Sequence, residues 1–319
     1  MSAGIDSRWI SLLSGTISFI RLIDFPEKVK TILTEYPDFF YDLNGSESEK
    51  LSGPVNMNPD WKDRIYVGPK SILRTVVEKD DPDHPLLELL LSSDKVDINL
   101  LETDQDDMFL SSFMWVCGTN KKALAEKFLR CPKLDINQEA YTDHYKGYTT
   151  NALYEALANR HWDIAKLILD HPNIDPNKSF GSEGETPLFK CVYGENTEGV
   201  KLLLTHPKID VNKESNYHMK GRTPLFVACQ RGLTDVVQLL LDNGADPTIQ
   251  MQELSSTGRG WDGSINRTVR DGRSWDLLDY MKELSNPVSK ERYLYKSWYK
   301  KGLPNYPVVI SILETLNGV

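Results

Sequence analysis

One short pattern recurs along this chain at nearly constant intervals. Each copy is an apolar segment rich in leucine, followed by a loop that contains an aspartate and, in four of the five copies, an asparagine two positions later. The aspartates lie at positions 97, 135, 175, 210 and 246, so successive copies are separated by 38, 40, 35 and 36 residues. Spacing in this range is typical of arrays in which every unit packs against its neighbours. The pattern therefore predicts a repeat architecture.

A residue able to cap a helix precedes each apolar segment at a nearly constant distance. Counting back 18 residues from the last leucine gives Ser111, Asn151, Thr186 and Thr223, and a step of 20 in the first copy gives Ser71. These side chains accept a hydrogen bond from the free N–H groups at a helix start. Each unit is therefore predicted to be a short helix, a turn, a longer helix and a loop. Neither helix can bury its apolar face without a neighbouring unit.

The last two complete copies resemble a known family. GRTPLFVACQRGLTDVVQLLLDNGADP (221–247) is similar to an ankyrin repeat at nearly every signature position, and GETPLFKCVYGENTEGVKLLLTHPKIDVN (184–212) resembles the variant in which HPxIDxN replaces xGADxN. The resemblance covers about residues 68–247. It implies an all-α ankyrin-repeat solenoid of stacked helix-turn-helix units with finger loops and helical N- and C-terminal caps. It also implies a concave groove that binds a partner.

The ends of the chain depart from the pattern, as terminal repeats do when one side meets water. Residues 1–66 are predicted to form an N-terminal helical cap with a degenerate repeat near 15–39 and a long loop at 44–66. The array is placed at residues 67–285 with an insertion at 248–270, and a C-terminal helical tail at 286–319. A truncated last repeat is expected to begin with Ser274 in the cap position.

Composition limits the partners. The net charge is −9, which argues against nucleic acid or an anionic membrane, because both reward clustered Lys and Arg. No run of 18 apolar residues predicts a transmembrane helix. The four cysteines form no CxxC pair, so we expect a reducing, cytoplasmic location. The sequence thus favours a monomer whose partner is a protein or peptide.

No motif for catalysis is present. The chain lacks a P-loop, GxGxxG and HExxH, and the glycines of residues 258–263 lack the strand-to-helix context of a phosphate cradle. His171, His206 and Cys131 occupy equivalent loop positions about 10 Å apart, too far to share a metal ion. The remaining cysteines, at 117, 191 and 229, are expected to be small buried groups. We therefore predict no enzyme activity, no cofactor and no metal.

The repeated loop residues have two interpretations. Each Asp and the Asn after it is expected to fix a turn through side-chain to backbone hydrogen bonds. The asparagines also resemble ankyrin asparagines that some cells hydroxylate, which would make the chain a substrate. The possible acceptors are Asn99, Asn137, Asn177 and Asn212.

Positions that depart from the repeat pattern are the candidates for partner binding, because the repeated positions are needed for the stack. Exposed aromatic residues beside Arg are typical of protein-binding hot spots. The candidates lie in the finger loops and just after the first helices: Tyr141, Tyr145, Tyr148, Phe180, Glu185, Tyr193, Tyr217, Met219, Lys220, Arg222, Gln230 and Arg231.

Three functions remain open from the sequence. The first is a non-catalytic scaffold that binds a partner through the concave groove and finger loops. The second is a ubiquitin-ligase substrate adaptor, because residues 22–33 and 303–316 faintly resemble F-box-like helices. The third is an enzyme with a site in the 248–270 insertion or the tail, although the sequence supplies no base–nucleophile pair there.

Overall fold

The computed structural model describes residues 65–66, 71–94, 96–103, 109–141, 149–181, 184–215, 219–220, 222–253, 274–285 and 305–317. The chain divides into two compact units, Met1–Asn173 (unit 1) and Ile174–Val319 (unit 2). Unit 1 holds three described helix pairs: α1 Ile72–Glu78 and α2 Pro85–Ser92, α3 Ser112–Gly118 and α4 Lys122–Leu129, and α5 Ala152–Ala158 and α6 Trp162–Leu169. Unit 2 also holds three: α7 Pro187–Tyr193 and α8 Thr197–Leu204, α9 Pro224–Gln230 and α10 Thr234–Asp242, and α11 Leu277–Ser285 and α12 Tyr306–Asn317.

The five predicted caps are confirmed. In every case the side chain of the cap residue accepts a hydrogen bond from the backbone N–H three positions later. Pro187 and Pro224 occupy the first helical position, as their missing N–H allows. The register deduced from the sequence is therefore the register of the first helices.

The turn between the two helices of a pair is tight and left-handed. One residue there has φ near +60° in each of five pairs: Asp80, Asn120, Arg160, Glu195 and Gly232. Glycine adopts this conformation without steric cost, whereas other residues pay about 1–2 kcal/mol. Four of the five positions nevertheless carry a side chain.

Helices of successive pairs pack on one another within each unit. In unit 1, α3 packs against α5 and α4 packs against α6; in unit 2, α7 packs against α9 and α8 against α10. The side chains between them are fully buried, for example Phe113 and Phe128 in unit 1 and Leu203 and Val237 in unit 2. The predicted stacking of helix-turn-helix pairs is therefore confirmed within each unit.

The finger loops contain short strands that the sequence did not predict. In unit 1 a five-stranded sheet has the order β1-β2-β3-β4-β5, and in unit 2 a three-stranded sheet has the order β6-β7-β8. The hairpins β2–β3 and β4–β5 are antiparallel, whereas β1 pairs with β2 in parallel. Their bounds are β1 Ile65–Tyr66, β2 Leu101–Thr103, β3 Phe109–Ser111, β4 Glu139–Tyr141, β5 Thr149–Asn151, β6 Met219–Lys220, β7 Met251–Glu253 and β8 Ser274–Trp275.

The loop after each second helix is tied to the loop of the next pair by an asparagine. Asn177 donates from Nδ2 to the carbonyl of Lys208 at 2.7 Å and accepts from the N–H of Asp210 at 2.8 Å. Asn212 makes the same two bonds to Gly244 and Asp246. We call these bonds the asparagine ladder.

The ladder also runs through unit 1, where Asn99 bonds the backbone of Lys133 and Asp135. Each aspartate of the loops accepts from the N–H two positions later, for example Asp97 from Asn99. The predicted turn role of Asp and Asn is therefore confirmed. The Asn reaches further than predicted, because it also bonds the neighbouring loop.

The last helix pair is completed by the tail. Tyr306, Val309 and Leu313 of α12 are buried, and the helix packs against α11, α10 and α9. The predicted boundary at residue 286 therefore falls between two paired helices. The predicted cap at Ser274 is wrong: Ser274 lies in β8, and the side chain of Asp276 accepts from the N–H of Asp279 at the start of α11. The first 64 residues lie outside the described part of the chain.

Replacement of Asn177 by Ala should lower the free energy of unfolding of unit 2 by about 1–3 kcal/mol, because two hydrogen bonds between neighbouring loops are lost. Asn243→Ala is the control, since the Asn243 side chain bonds only Leu239 of its own helix end among the described residues. Urea denaturation of the full chain measures both. Equal losses for the two variants would contradict the ladder as a support of the stack.

Removal of residues 303–319 should destabilise unit 2, because burial of Val309 and of Leu313 contributes about 1.5–3 kcal/mol each. A synthetic peptide of the same residues should restore the melting temperature when added to the truncated chain. A peptide with Leu313→Asp serves as the control and should not restore it. An unchanged melting temperature after truncation would contradict the packing of α12.

Candidate functional site

The first helices leave a defined set of positions partly open. The cap and the residues one, two, five and six positions after it are buried in the complete repeats, whereas those four, seven and eight positions after it are exposed or half-buried in most of them. We call the surface formed by these latter positions the first-helix face of each unit. In unit 1 it contains Thr75, Glu78, Lys79, Trp115, Gly118, Thr119, Glu155, Ala158 and Asn159.

In unit 2 this face carries an ordered aromatic and charged cluster. The guanidinium carbon of Arg231 lies 5.0 Å from the centroid of the Tyr193 ring, and Arg231 Nη2 lies 2.6 Å from Glu195 Oε1. Tyr193 and Arg231 were both predicted as candidates, and the structure brings them together. Glu195, which the sequence did not single out, orients the cation. We call these three residues the Tyr193 cluster.

A second predicted residue lies where the finger meets the helix. Glu185 Oε2 is 2.7 Å from Lys190 Nζ, and both side chains are largely covered. Lys190 occupies the position four residues after the cap Thr186, which places it on the first-helix face. The ion pair therefore joins the finger to the helix.

Three predicted contact residues lie in the interior. Phe180 is only 1% exposed, because its backbone pairs with Glu185 across the base of the finger and its ring lies in the core. Arg222 and Gln230 are 5% and 4% exposed. The expectation that these three side chains offer exposed contacts is therefore corrected.

Arg222 and Gln230 belong to a buried polar network. Arg222 Nη2 donates to Gln230 Oε1 at 3.0 Å, and Gln230 Nε2 donates to the Tyr280 hydroxyl at 3.1 Å. The Tyr306 hydroxyl donates to the backbone carbonyl of Gln230 at 3.1 Å. The last helix pair thus covers the end of α9. Buried polar groups need such partners, so the two residues have a structural role here.

The structure does not describe the side chains of the remaining candidates. Tyr145, Tyr148 and Tyr217 lie outside the described residues. Tyr141 lies in β4, and Met219 and Lys220 form β6; only the backbone of these three is described. They stay predictions as finger-loop contacts.

Sequence reasoning missed Trp115. Its indole is half-buried on the first-helix face of unit 1, and the guanidinium carbon of Arg74 lies 4.8 Å from the ring centroid. The signal was available, because Trp115 follows the cap Ser111 by four residues, as Lys190 follows Thr186.

A buried carboxyl group links the first finger to two helix starts. Glu102 of β2 accepts from the backbone N–H of Ser71 and, at 3.4 Å, from the hydroxyl of Ser112. Burial raises the pKa of Glu102, and its hydrogen bonds and the charge of Arg74 offset this only in part. The finger of unit 1 is therefore joined to the helices by a carboxyl group whose charged form is disfavoured by burial.

The cysteine and histidine side chains serve the fold. Cys117, Cys191 and Cys229 are buried free thiols, as predicted. Burial raises the pKa of the Cys191 thiol to about 12. His171 and His206 each accept a hydrogen bond at Nδ1 from the N–H two positions later in the same loop. Within the described ranges, no three His, Cys, Asp or Glu side chains are grouped to hold a metal ion.

The four asparagines predicted as possible hydroxylation acceptors all belong to the ladder. Their side-chain amides donate to a carbonyl of the next loop at 2.7–3.2 Å. Hydroxylation of these residues stays a prediction. In the part of the chain that the structure describes, no helix is long and apolar enough to cross a membrane.

Comparison with known proteins gives one family match. Residues 175–251 match the family model for ankyrin repeats (3 copies). No curated protein matches the chain. The crystal structure of the ankyrin repeat domain of Bcl-3, a unique member of the IkappaB protein family, is 18% identical, with 88% of this chain and 99% of that chain covered and a TM-score of 0.49. The crystal structure of EF0377, an ankyrin repeat protein, is 18% identical, with 70% and 97% covered and a TM-score of 0.46.

Replacement of Glu102 by Gln should change how stability depends on pH. The folded-state pKa of Glu102 is higher than that of the unfolded chain, so the folded state binds more protons between the two values. The contribution of Glu102 to stability is therefore greatest below the unfolded-state pKa and declines as pH rises through the folded-state pKa. Gln keeps an acceptor for Ser71 but does not titrate.

Denaturant midpoints of the full chain, measured from pH 4 to pH 8, test this expectation. The stability of Glu102→Gln relative to the parent chain should rise with pH across that window. Glu88→Gln is the control, because Glu88 is an exposed carboxylate of unit 1. A constant difference between Glu102→Gln and the parent chain would show that the ionisation of Glu102 does not matter.

Proposed function

This chain is an ankyrin-repeat protein, and from that premise we propose that it is a non-catalytic scaffold that binds a partner protein or peptide. Ankyrin repeats are generally protein–protein interaction modules. The binding surface in this proposal is the first-helix face together with the finger loops. The chain acts as a monomer in a reducing, cytoplasmic setting, and the free thiols of its cysteines support that setting.

The Tyr193 cluster is the observation that carries this proposal. Tyr193 and Arg231 lie on the first-helix face, and Glu195 lies in the turn after α7, whereas the repeated positions around them are buried. Tyr and Arg are the residue types enriched at binding hot spots. The cation–π contact and the ion pair hold Arg231 in one place before a partner arrives. Less side-chain entropy is then lost on binding.

The finger loops extend the proposed surface. The Glu185–Lys190 pair fixes the base of one finger against α7. Tyr141, Tyr145, Tyr148, Tyr217, Met219 and Lys220 remain candidate contacts in the fingers. Phe180, Arg222 and Gln230 support the surface from within, because they are buried next to residues that belong to it.

The adaptor alternative depends on two segments, and one of them is not free to dock on a ligase as a separate helix. Residues 306–317 form α12, and Val309 and Leu313 on its apolar face are buried in unit 2. The other segment, residues 22–33, lies outside the described part of the chain. The enzyme alternative rests on the 248–270 insertion and the tail, and no observation on the described residues of these segments favours it.

A paired substitution tests the proposed function. Tyr193→Ala with Arg231→Ala should remove the captured partner, with a loss of at least about 30-fold for a hot spot of 2 kcal/mol. Lys201→Ala with Gln238→Ala is the matched control, because both side chains are on the second helices of the same unit. Quantitative mass spectrometry after affinity purification from the native cell compares the two variants with the parent chain.

The expected result is a set of proteins that is lost with the Tyr193 cluster and kept with the control. Melting temperatures of both variants show whether the fold is intact. Capture of the same proteins at unchanged abundance by both variants would contradict the assignment of the surface.

A further inference from the structure

Two loops of the array contain the same turn, in which a histidine is followed by a proline. The backbone N–H of Asn173 donates to His171 Nδ1 at 3.3 Å. The N–H of Lys208 donates to His206 Nδ1 at 3.2 Å. A backbone N–H can only donate, so each Nδ1 carries a lone pair and the proton of the neutral ring lies on Nε2. The turn therefore requires an uncharged imidazole.

The residue that closes each turn also carries an acceptor of the asparagine ladder. The carbonyl of Asn173 accepts from Asn137 Nδ2 at 2.8 Å. The carbonyl of Lys208 accepts from Asn177 Nδ2 at 2.7 Å. We call each bond from an asparagine amide to a carbonyl of the next loop a rung. In these two rungs, the imidazole holds the N–H of the residue whose C=O the asparagine holds.

The other two rungs do not depend on a histidine. Asn99 donates to the carbonyl of Lys133, and in that loop Cys131 stands at the histidine position. Its Sγ donates to a carbonyl of α2 at 3.2 Å. Asn212 donates to the carbonyl of Gly244, in a loop without histidine. The ladder thus contains two rungs beside an imidazole and two that serve as internal references.

Charges of both signs lie around the two rings. They belong to the last turn of the preceding helix, to the same loop and to the loops that the ladder joins. For His171 they are Arg130, Lys133, Asp135, Lys166, Asp170 and Asp175; for His206 they are Asp175, Lys201, Lys208, Asp210, Asp242 and Asp246. Over the described loops and helices, none of these side chains is hydrogen-bonded or ion-paired to either ring. The N–H of the turn is therefore the polar contact that a proton on Nδ1 would remove.

We propose that acidification from about pH 7.5 to about pH 5 loosens the asparagine ladder at the rungs of Asn137 and Asn177, through protonation of His171 and His206. An imidazolium has a hydrogen on both ring nitrogens, so Nδ1 can no longer accept from the turn. The unfolded chain takes up the same proton without losing a hydrogen bond. It therefore binds more protons than the folded chain, and stability falls as pH falls. This inference goes beyond the proposed function and does not depend on it.

Replacement of both histidines by asparagine separates the acceptor from the charge. Asn Oδ1 also accepts from the N–H two residues later, and it does not titrate. His171→Asn with His206→Asn should match the stability of the parent chain at pH 7.5. At pH 5 its folding equilibrium constant should exceed that of the parent about tenfold, because two hydrogen bonds are kept.

Urea denaturation of the full chain at both pH values measures this difference. Comparison of variant and parent at the same pH cancels the contribution of Glu102, which has the opposite sign. Each single variant should gain about threefold, so the test also holds if the double variant does not fold. A constant ratio of variant to parent at the two pH values would overturn the inference.

His161→Asn is the matched control. His161 Nδ1 lies 2.9 Å from the carbonyl of Cys117, which can only accept, so this nitrogen donates and still donates when the ring is charged. Acidification should therefore not favour His161→Asn over the parent. A gain at pH 5 as large as that of the double variant would show that loss of any imidazole suffices, and it would also overturn the inference.

NMR signals of the asparagine side-chain amides locate the effect in the isotope-labelled full chain. Between pH 7.5 and pH 5, the signals of Asn137 and Asn177 should move in the parent and stay in the double variant. Those of Asn99 and Asn212 should stay in both. Equal movement of all four signals in the parent would contradict a selective effect on two rungs. Neither result bears on the Tyr193 cluster, so failure here leaves the proposed function to its own test.

Discussion

The whole structure depends on burial of apolar helix faces between successive repeats. A pair of helices of seven and eight residues is too small to bury its own apolar side, so residues such as Phe128, Ile168, Leu203 and Val237 become buried only where one pair lies on the next. The asparagine ladder fixes the distance between the loops of neighbouring pairs. The buried contacts and the ladder together define which positions of each repeat can vary.

This constraint separates the two kinds of position on a first helix. The cap and the apolar positions are held by the stack, and their residue types recur. In most repeats the positions four, seven and eight residues after the cap are not held by the stack, and there the chain carries different residues in each repeat. Trp115 and Tyr193 are the aromatic residues that stand at such positions, each in contact with an arginine. The need to stack therefore also identifies the surface positions at which residue types, and hence contacts with a partner, can differ between repeats.

Most of the fold could be predicted from local sequence signals. The site could be predicted only in part, because it depends on contacts between residues that are far apart in the sequence. The five caps depend only on a side chain and an N–H three residues later, so counting along the sequence found them. Ser274 is not a cap because β8 continues one residue beyond it, to Trp275, so the helix begins later and Asp276 accepts the capping hydrogen bond. The repeat pattern predicts that Arg222 and Gln230 are exposed, because the residues that cover them, Tyr280 and Tyr306, lie 50 and 76 residues after Gln230.

The central claim is that repeated positions carry stability and divergent positions carry binding. A saturation scan of α1, α3, α5, α7 and α9, read out in parallel for abundance and for partner binding, tests it most directly. The account predicts that substitutions at the caps and apolar positions lower abundance and binding together. Substitutions on the first-helix face, with Trp115 and Tyr193 foremost, should lower binding at unchanged abundance. Binding losses at unchanged abundance spread evenly over all helix positions would contradict it.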